Sequence, residues 1–179
     1  MNKLLNILAA MMCIALPCWS SSAHKSMPDI EFDRWNAVTP FLCCEVNDAD
    51  TIWTLEIWGR GLDENALLLM KTCDGKVVEM QPAGHRLYQE TDSLTVSPVT
   101  GEWIEHWHYK HILQYRLTPT ALNYFMTHGI EKLRLGTVER WQEKSWKRDE
   151  LGKSLATAYH IVLERLGTPV KPKTIYDDF

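Results

Sequence analysis

Between Thr51 and Gly59 the chain alternates. Trp53, Leu55 and Ile57 are apolar, while Thr54 and Glu56 are polar. A period of two marks a half-buried strand, because successive side chains leave opposite faces of the backbone. Gly59 and Gly61 end it. A second apolar run covers Ala66 to Cys73, and Lys76 to Met80 returns after Asp74-Gly75. Asp-Gly tolerates the positive φ that a tight turn needs, so the pair predicts a hairpin, closed by Pro82-Ala83-Gly84. Short strands are predicted at Phe41-Leu42-Cys43-Cys44 and at Leu94 to Ser97, the latter before a turn at Pro98-Val99-Thr100-Gly101. The rest of residues 24–50 carries little pattern.

Trp103 to Leu117 is the longest strand-like segment. Trp103, Glu105, Trp107 and Tyr109 fall on one face, and Ile104, His106, His108 and Lys110 on the other. The apolar phase changes at Ile112, which predicts a bulge, or a break into two strands, near His111. A helix is predicted from Thr118-Pro119, where Thr suits the N-cap and Pro the first turn. Leu122, Phe125 and Met126 form its apolar stripe, and Gly129 ends it. Ile130 to Leu135 reads as a strand, and Val138 and Trp141 as a continuation of the sheet. The last helix is capped by Asp149, carries the stripe Leu151, Leu155, Ala158, Tyr159, Val162 and Leu166, and stops at Gly167 and Pro169. Hairpins early and helices late predict an α+β fold, a mostly antiparallel sheet covered on one side by two helices.

The N-terminus has a different texture. Asn2-Lys3 precede an apolar run, Leu4 to Leu16, followed by Pro17 and the small residues Ser20-Ser21-Ser22-Ala23. This is the order of a secretory signal peptide, with cleavage expected before His24. The run is about 13 residues, short of the roughly 20 a membrane span needs. The expected organisation is a signal peptide over 1–23 and a single domain over 24–179, periplasmic or secreted, with no transmembrane segment after cleavage. The formal charge is −4, and removal of Lys3 makes it more acidic. Without a basic stripe such a chain is a poor nucleic-acid binder.

Three cysteines lie beyond residue 23: Cys43, Cys44 and Cys73. One bridge from Cys43 or Cys44 to Cys73 would suit export, and three buried thiols are the alternative. His106 and His108, two apart on a strand, point to one side and are candidate metal ligands, with His111, His85 or Glu105 as third ligand. A solvated strand face bearing two histidines is the plainer reading. Trp103, Trp107 and Tyr109, with Trp53 on a partner strand, make a face that is either core or a stacking platform for a sugar or peptide. Core is favoured, because the helices must cover something. The chain has no Gly-x-Ser-x-Gly elbow and no Gly-rich phosphate loop.

The stretch Leu117-Thr118-Pro119-Thr120-Ala121-Leu122 through Gly129-Ile130-Glu131-Lys132-Leu133-Arg134-Leu135 resembles small uncharacterised secreted proteins of Bacteroides-type bacteria, over about the last 65 residues. The resemblance implies export and this fold, and transfers no active site. The expected function is a non-enzymatic exported domain that binds a protein or cell-envelope component and takes no cofactor. The alternatives are a carbohydrate-binding module using exposed Trp, or a metal-dependent hydrolase using His106 and His108.

Overall fold

The computed structural model describes residues 21–32, 37–47, 50–137 and 140–167, with only the backbone of Asp92. The apolar segment Leu4 to Leu16 and the expected strand position Val138 lie outside them. Among the described residues, nine strands and two helices follow in the order β1 (Ser21–Ser26), β2 (Thr39–Asn47), β3 (Asp50–Gly59), β4 (Leu67–Thr72), β5 (Val77–Met80), β6 (Gly84–Val96), β7 (Trp103–Leu117), α1 (Pro119–His128), β8 (Ile130–Gly136), β9 (Trp141–Ser145) and α2 (Leu151–Arg165). They form an α+β fold in which every strand pair is antiparallel. The strands divide between a five-stranded sheet, β1-β2-β3-β7-β6, and a four-stranded sheet, β5-β4-β8-β9.

Local chemistry accounts for the boundaries. Gly75 takes φ 90° in the β4–β5 turn. Thr118 accepts the Ala121 N–H at 3.1 Å, with Pro119 in the first turn of α1. Gly129 ends that helix at φ 71°, its N–H donating to Phe125 O. Asp149 caps α2 by accepting the Gly152 N–H at 2.8 Å, and the same oxygen accepts the Ile130 N–H of β8 at 2.9 Å. One carboxylate thus ties the start of a strand to the start of a helix.

A single apolar cluster joins the layers. Leu42, Leu55, Ile57, Leu113 and Tyr115 of the larger sheet meet Leu68, Met70, Leu133 and Leu135 of the smaller one, with Leu122 and Phe125 of α1 and Leu155, Ala158 and Val162 of α2. The Tyr115 hydroxyl reaches the Ala66 carbonyl at 2.7 Å inside it, so the one polar atom of this buried ring is satisfied. The stripe expected on α2 is the buried one: Leu151, Leu155, Ala158 and Val162 face inward.

Three local expectations change. β7 runs unbroken through His111, and the register shift lies on its partner β6, between Thr91 and Ser93. β6 begins at Gly84, well before Leu94. Cys43, Cys44 and Cys73 are free thiols in different settings, Cys44 buried, Cys43 half-buried and Cys73 exposed, so neither a bridge to Cys73 nor the alternative of three buried thiols is what the fold shows. The first strand takes in Ser21, Ser22 and Ala23, paired with Val46, Glu45 and Cys44, and Ala23 is buried.

Candidate functional site

β7 is longer than the sheet around it. β3 pairs with it only from His111 to Leu117, and from Trp103 to Lys110 its one strand neighbour among the described residues is β6. The two strands therefore continue as a ribbon from Tyr88↔Lys110 to Val96↔Trp103, joined through Ser97 to Glu102. Residues paired across antiparallel strands share a face. Register then assigns Leu87, Leu94, Val96, Trp103, Trp107 and Tyr109 to one side of the ribbon. The shift between Thr91 and Ser93 makes this possible, because it moves Leu94 and Val96 onto the face of Leu87. All six are exposed, Trp103 at 70%, Trp107 at 51% and Tyr109 at 54%.

Trp53 belongs to the same face but not to the same environment. It pairs with Leu117 at the other end of β7, is 5% exposed, and packs on Tyr159 of α2 with ring centroids 4.9 Å apart. The four aromatics expected on one face do share it. That face is core around Trp53 and open around Trp103, Trp107 and Tyr109.

His106 and His108 lie together on the opposite side. His106 Nε2 is 2.8 Å from the Thr95 hydroxyl. His108 Nε2 is 2.7 Å from Glu90, which also holds Lys110 at 2.7 Å, and His108 Nδ1 lies 3.1 Å from Arg60. Hydrogen bonds from Lys110 and His108 pull the Glu90 carboxyl below its usual range. A different pair of imidazoles meets at the base of the ribbon: His85 Nε2 and His111 Nδ1 are 3.0 Å apart, the rings stacked, with Glu64 3.8 Å from His85. Burial, then the nearby His85, lowers the His111 pKa. Among the described residues no three His, Cys, Asp or Glu side chains converge as a metal site requires.

A second feature was not legible as a site. The outer face of the larger sheet, turned away from the core, holds a pocket of about 290 Å³ lined by residues of β1, β2, β3 and β6. Glu56 lies at its floor, 6% exposed. Its Oε1 accepts from Arg86 and Gln114, each at 2.8 Å, and its Oε2 from Trp58 Nε1 at 2.9 Å. Cys43 lines the same pocket, and burial, then the Glu56 charge, pushes its thiol up to about 12. Phe41 and Trp58 form its aromatic wall, with centroids 4.9 Å apart, and Tyr88 packs on Trp58 at 5.7 Å from outside the lining. A carboxylate has about four acceptor positions. Three donors hold Glu56, so it fixes Arg86, Gln114 and Trp58 in place. The signal that could have found it is a Glu inside an apolar strand with Trp58 two residues on, the same face.

No family model, curated protein or solved structure matches the chain. Among the described residues no helix is long and apolar enough to cross a membrane.

Proposed function

We propose that this chain is an exported, non-enzymatic binding domain that recognises a protein or cell-envelope component through the β6–β7 ribbon. The observation that carries this is the distribution of exposed large apolar side chains among the described residues: besides Val77, they are Leu87, Tyr88, Leu94, Val96, Val99, Trp103, Ile104, Trp107 and Tyr109, all on β6, β7 or the turn between them. A two-stranded ribbon is marginally stable in water alone, and one with an apolar face and open edges is a template for further β-pairing. Apolar patches of this kind mark interaction sites. A protein segment satisfies both needs, lying on the apolar face and hydrogen-bonding an edge. Export rests on the sequence order of residues 1–23.

The test is a photo-crosslinking residue placed at position 107 in cells that make the protein, with position 153 on the outer face of α2 as control. One recurrent protein adduct at 107, absent at 153 and lost when Trp103 and Tyr109 are changed to Ser, supports the proposal. Equal adducts at both positions overturn it. A row of three rings on one face also suits a glycan, and glycan adducts at 107 without protein would favour that second reading.

A further inference from the structure

We infer that the outer-face pocket is a separate site for a neutral sugar ring. Its size sets the scale. At about 290 Å³ it falls just below the usual range of ligand pockets, roughly 300–1,000 Å³, which suits a single ring. Its chemistry sets the class. The wall of Phe41 and Trp58 offers apolar surface to the C–H face of a pyranose. Trp58 is held by its Nε1 bond to Glu56, so this wall is fixed before anything binds. The rim carries both kinds of hydrogen-bonding group that hydroxyls need. Arg86 commits one nitrogen to Glu56 and has further N–H donors. Ser22 donates and accepts, His24 does one or the other at each ring nitrogen, and the exposed Glu45 accepts.

Charge argues against the ionic alternatives. Arg86 and Glu56 neutralise each other at 2.8 Å, and Glu45 on the rim opposes an anion. A cation would meet the guanidinium. The Cys43 thiol, pushed up to about 12, stays neutral at physiological pH and adds no nucleophile. What remains is a rigid aromatic wall, a buried and hydrogen-bonded polar floor, and a mixed donor–acceptor rim.

The pocket lies on the face of the sheet opposite the apolar side of the ribbon, so the two sites fail independently. The experiment is saturation-transfer NMR with glucose, galactose, N-acetylglucosamine and inorganic phosphate, on protein expressed from the full-length coding sequence. The expected result is transfer to at least one sugar, with affinity reduced about tenfold or more by Arg86→Met, abolished by Trp58→Ala, and unchanged by Trp107→Ser. Arg86 is largely exposed, so its variant tests the site even where Trp58→Ala fails to fold. Absence of transfer to every sugar at concentrations of roughly 10 mM, well above a millimolar dissociation constant, overturns the inference. So do binding of phosphate alone, and sugar binding that is lost with Trp107→Ser but kept in Arg86→Met.

Discussion

Replacing a helical glycine by alanine ordinarily stabilises a helix, by up to about 1 kcal/mol. At Gly152 the sign should reverse. A Cβ built there falls 2.4 Å from Asp149 Oδ1, and the three nearest atoms all belong to Asp149. Gly129 abuts the same carboxylate, with a hypothetical Cβ 2.6 Å from its Cγ. The methyl group must therefore push Asp149 out of place, and Asp149 holds two N–H groups, those of Gly152 and Ile130. Loss of a helix cap costs about 1 kcal/mol. An unpaired N–H on the buried Ile130 costs roughly 1–3 kcal/mol more. Asp149→Ala should thus destabilise by about 2–4 kcal/mol. Gly152→Ala should destabilise by about 1–3 kcal/mol, the propensity gain offsetting part of the loss. The double variant is the decisive one. With the carboxylate gone the methyl group has nothing to displace, so Gly152→Ala in the Asp149→Ala background should be neutral or stabilising. Urea melts of the four proteins give the cycle, and unchanged m values confirm that the midpoints report stability. If Gly152→Ala raises the midpoint in the unaltered protein, or if the two effects add, Asp149 is not the shared tie described above.

Three more outcomes follow from packing and ionisation. Leu155→Ala should cost about 2–5 kcal/mol in the same urea melts, because the side chain is 1% exposed in the joint core, while Lys153→Ala on the exposed face should stay within about 0.5 kcal/mol. The folded-state pKa of His111 is depressed, so the unfolded chain binds more protons just below its ordinary value of about 6.5. The His111 contribution is therefore complete above that pH and is lost as pH falls through the lowered folded value. Thermal melts from pH 7.5 to 5 (values on the order of the His range) should fall less steeply for His111→Gln. Thiol alkylation followed by mass spectrometry should label the exposed Cys73 first. Cys43 and Cys44, pushed up to about 12 and about 11 chiefly by burial, should label only on unfolding.

How far the fold could be read in advance depended on how local its cause was. The Asp74-Gly75 turn, the Thr118-Pro119 start of α1 and the α2 stripe are local, and each stands where pattern put it. β1 was not legible because Ser21–Ser26 is an edge strand turning one apolar residue, Ala23, inward. Most of β6 was not legible for a different reason. The shift between Thr91 and Ser93 places Leu87 and Leu94 on one face although their spacing has the wrong parity for a regular strand. Asp149 was readable as a cap for α2, but its hold on Ile130 crosses elements and leaves no trace in periodicity. The outer pocket is the extreme case. Glu56 alternates like the solvent face of β3, and it is buried because Arg86, Gln114 and Trp58 arrive from three strands whose register no single segment encodes.

The open and buried ends of one sheet face also constrain the ribbon's partner. Trp53 and Trp103 occupy the same side of the larger sheet, and what separates them is cover: α2 reaches Trp53 through Tyr159, and nothing described reaches Trp103. Fully burying a large apolar side chain stabilises by about 1.5–3 kcal/mol, and these three rings are only partly exposed, so covering them yields roughly 3–6 kcal/mol in all. Association itself costs about 4–15 kcal/mol, so stacking on Trp103, Trp107 and Tyr109 alone leaves little or no net affinity. The added source available here is the backbone. From Trp103 to Lys110, β7 has an edge with no strand beside it among the described residues, and β6 forms the outer edge of the sheet. A glycan can use the rings but not the spacing of N–H and C=O groups along an edge, whereas an extended peptide can use both. The energetics therefore favour a protein strand laid against the ribbon, with the aromatic face as its cover.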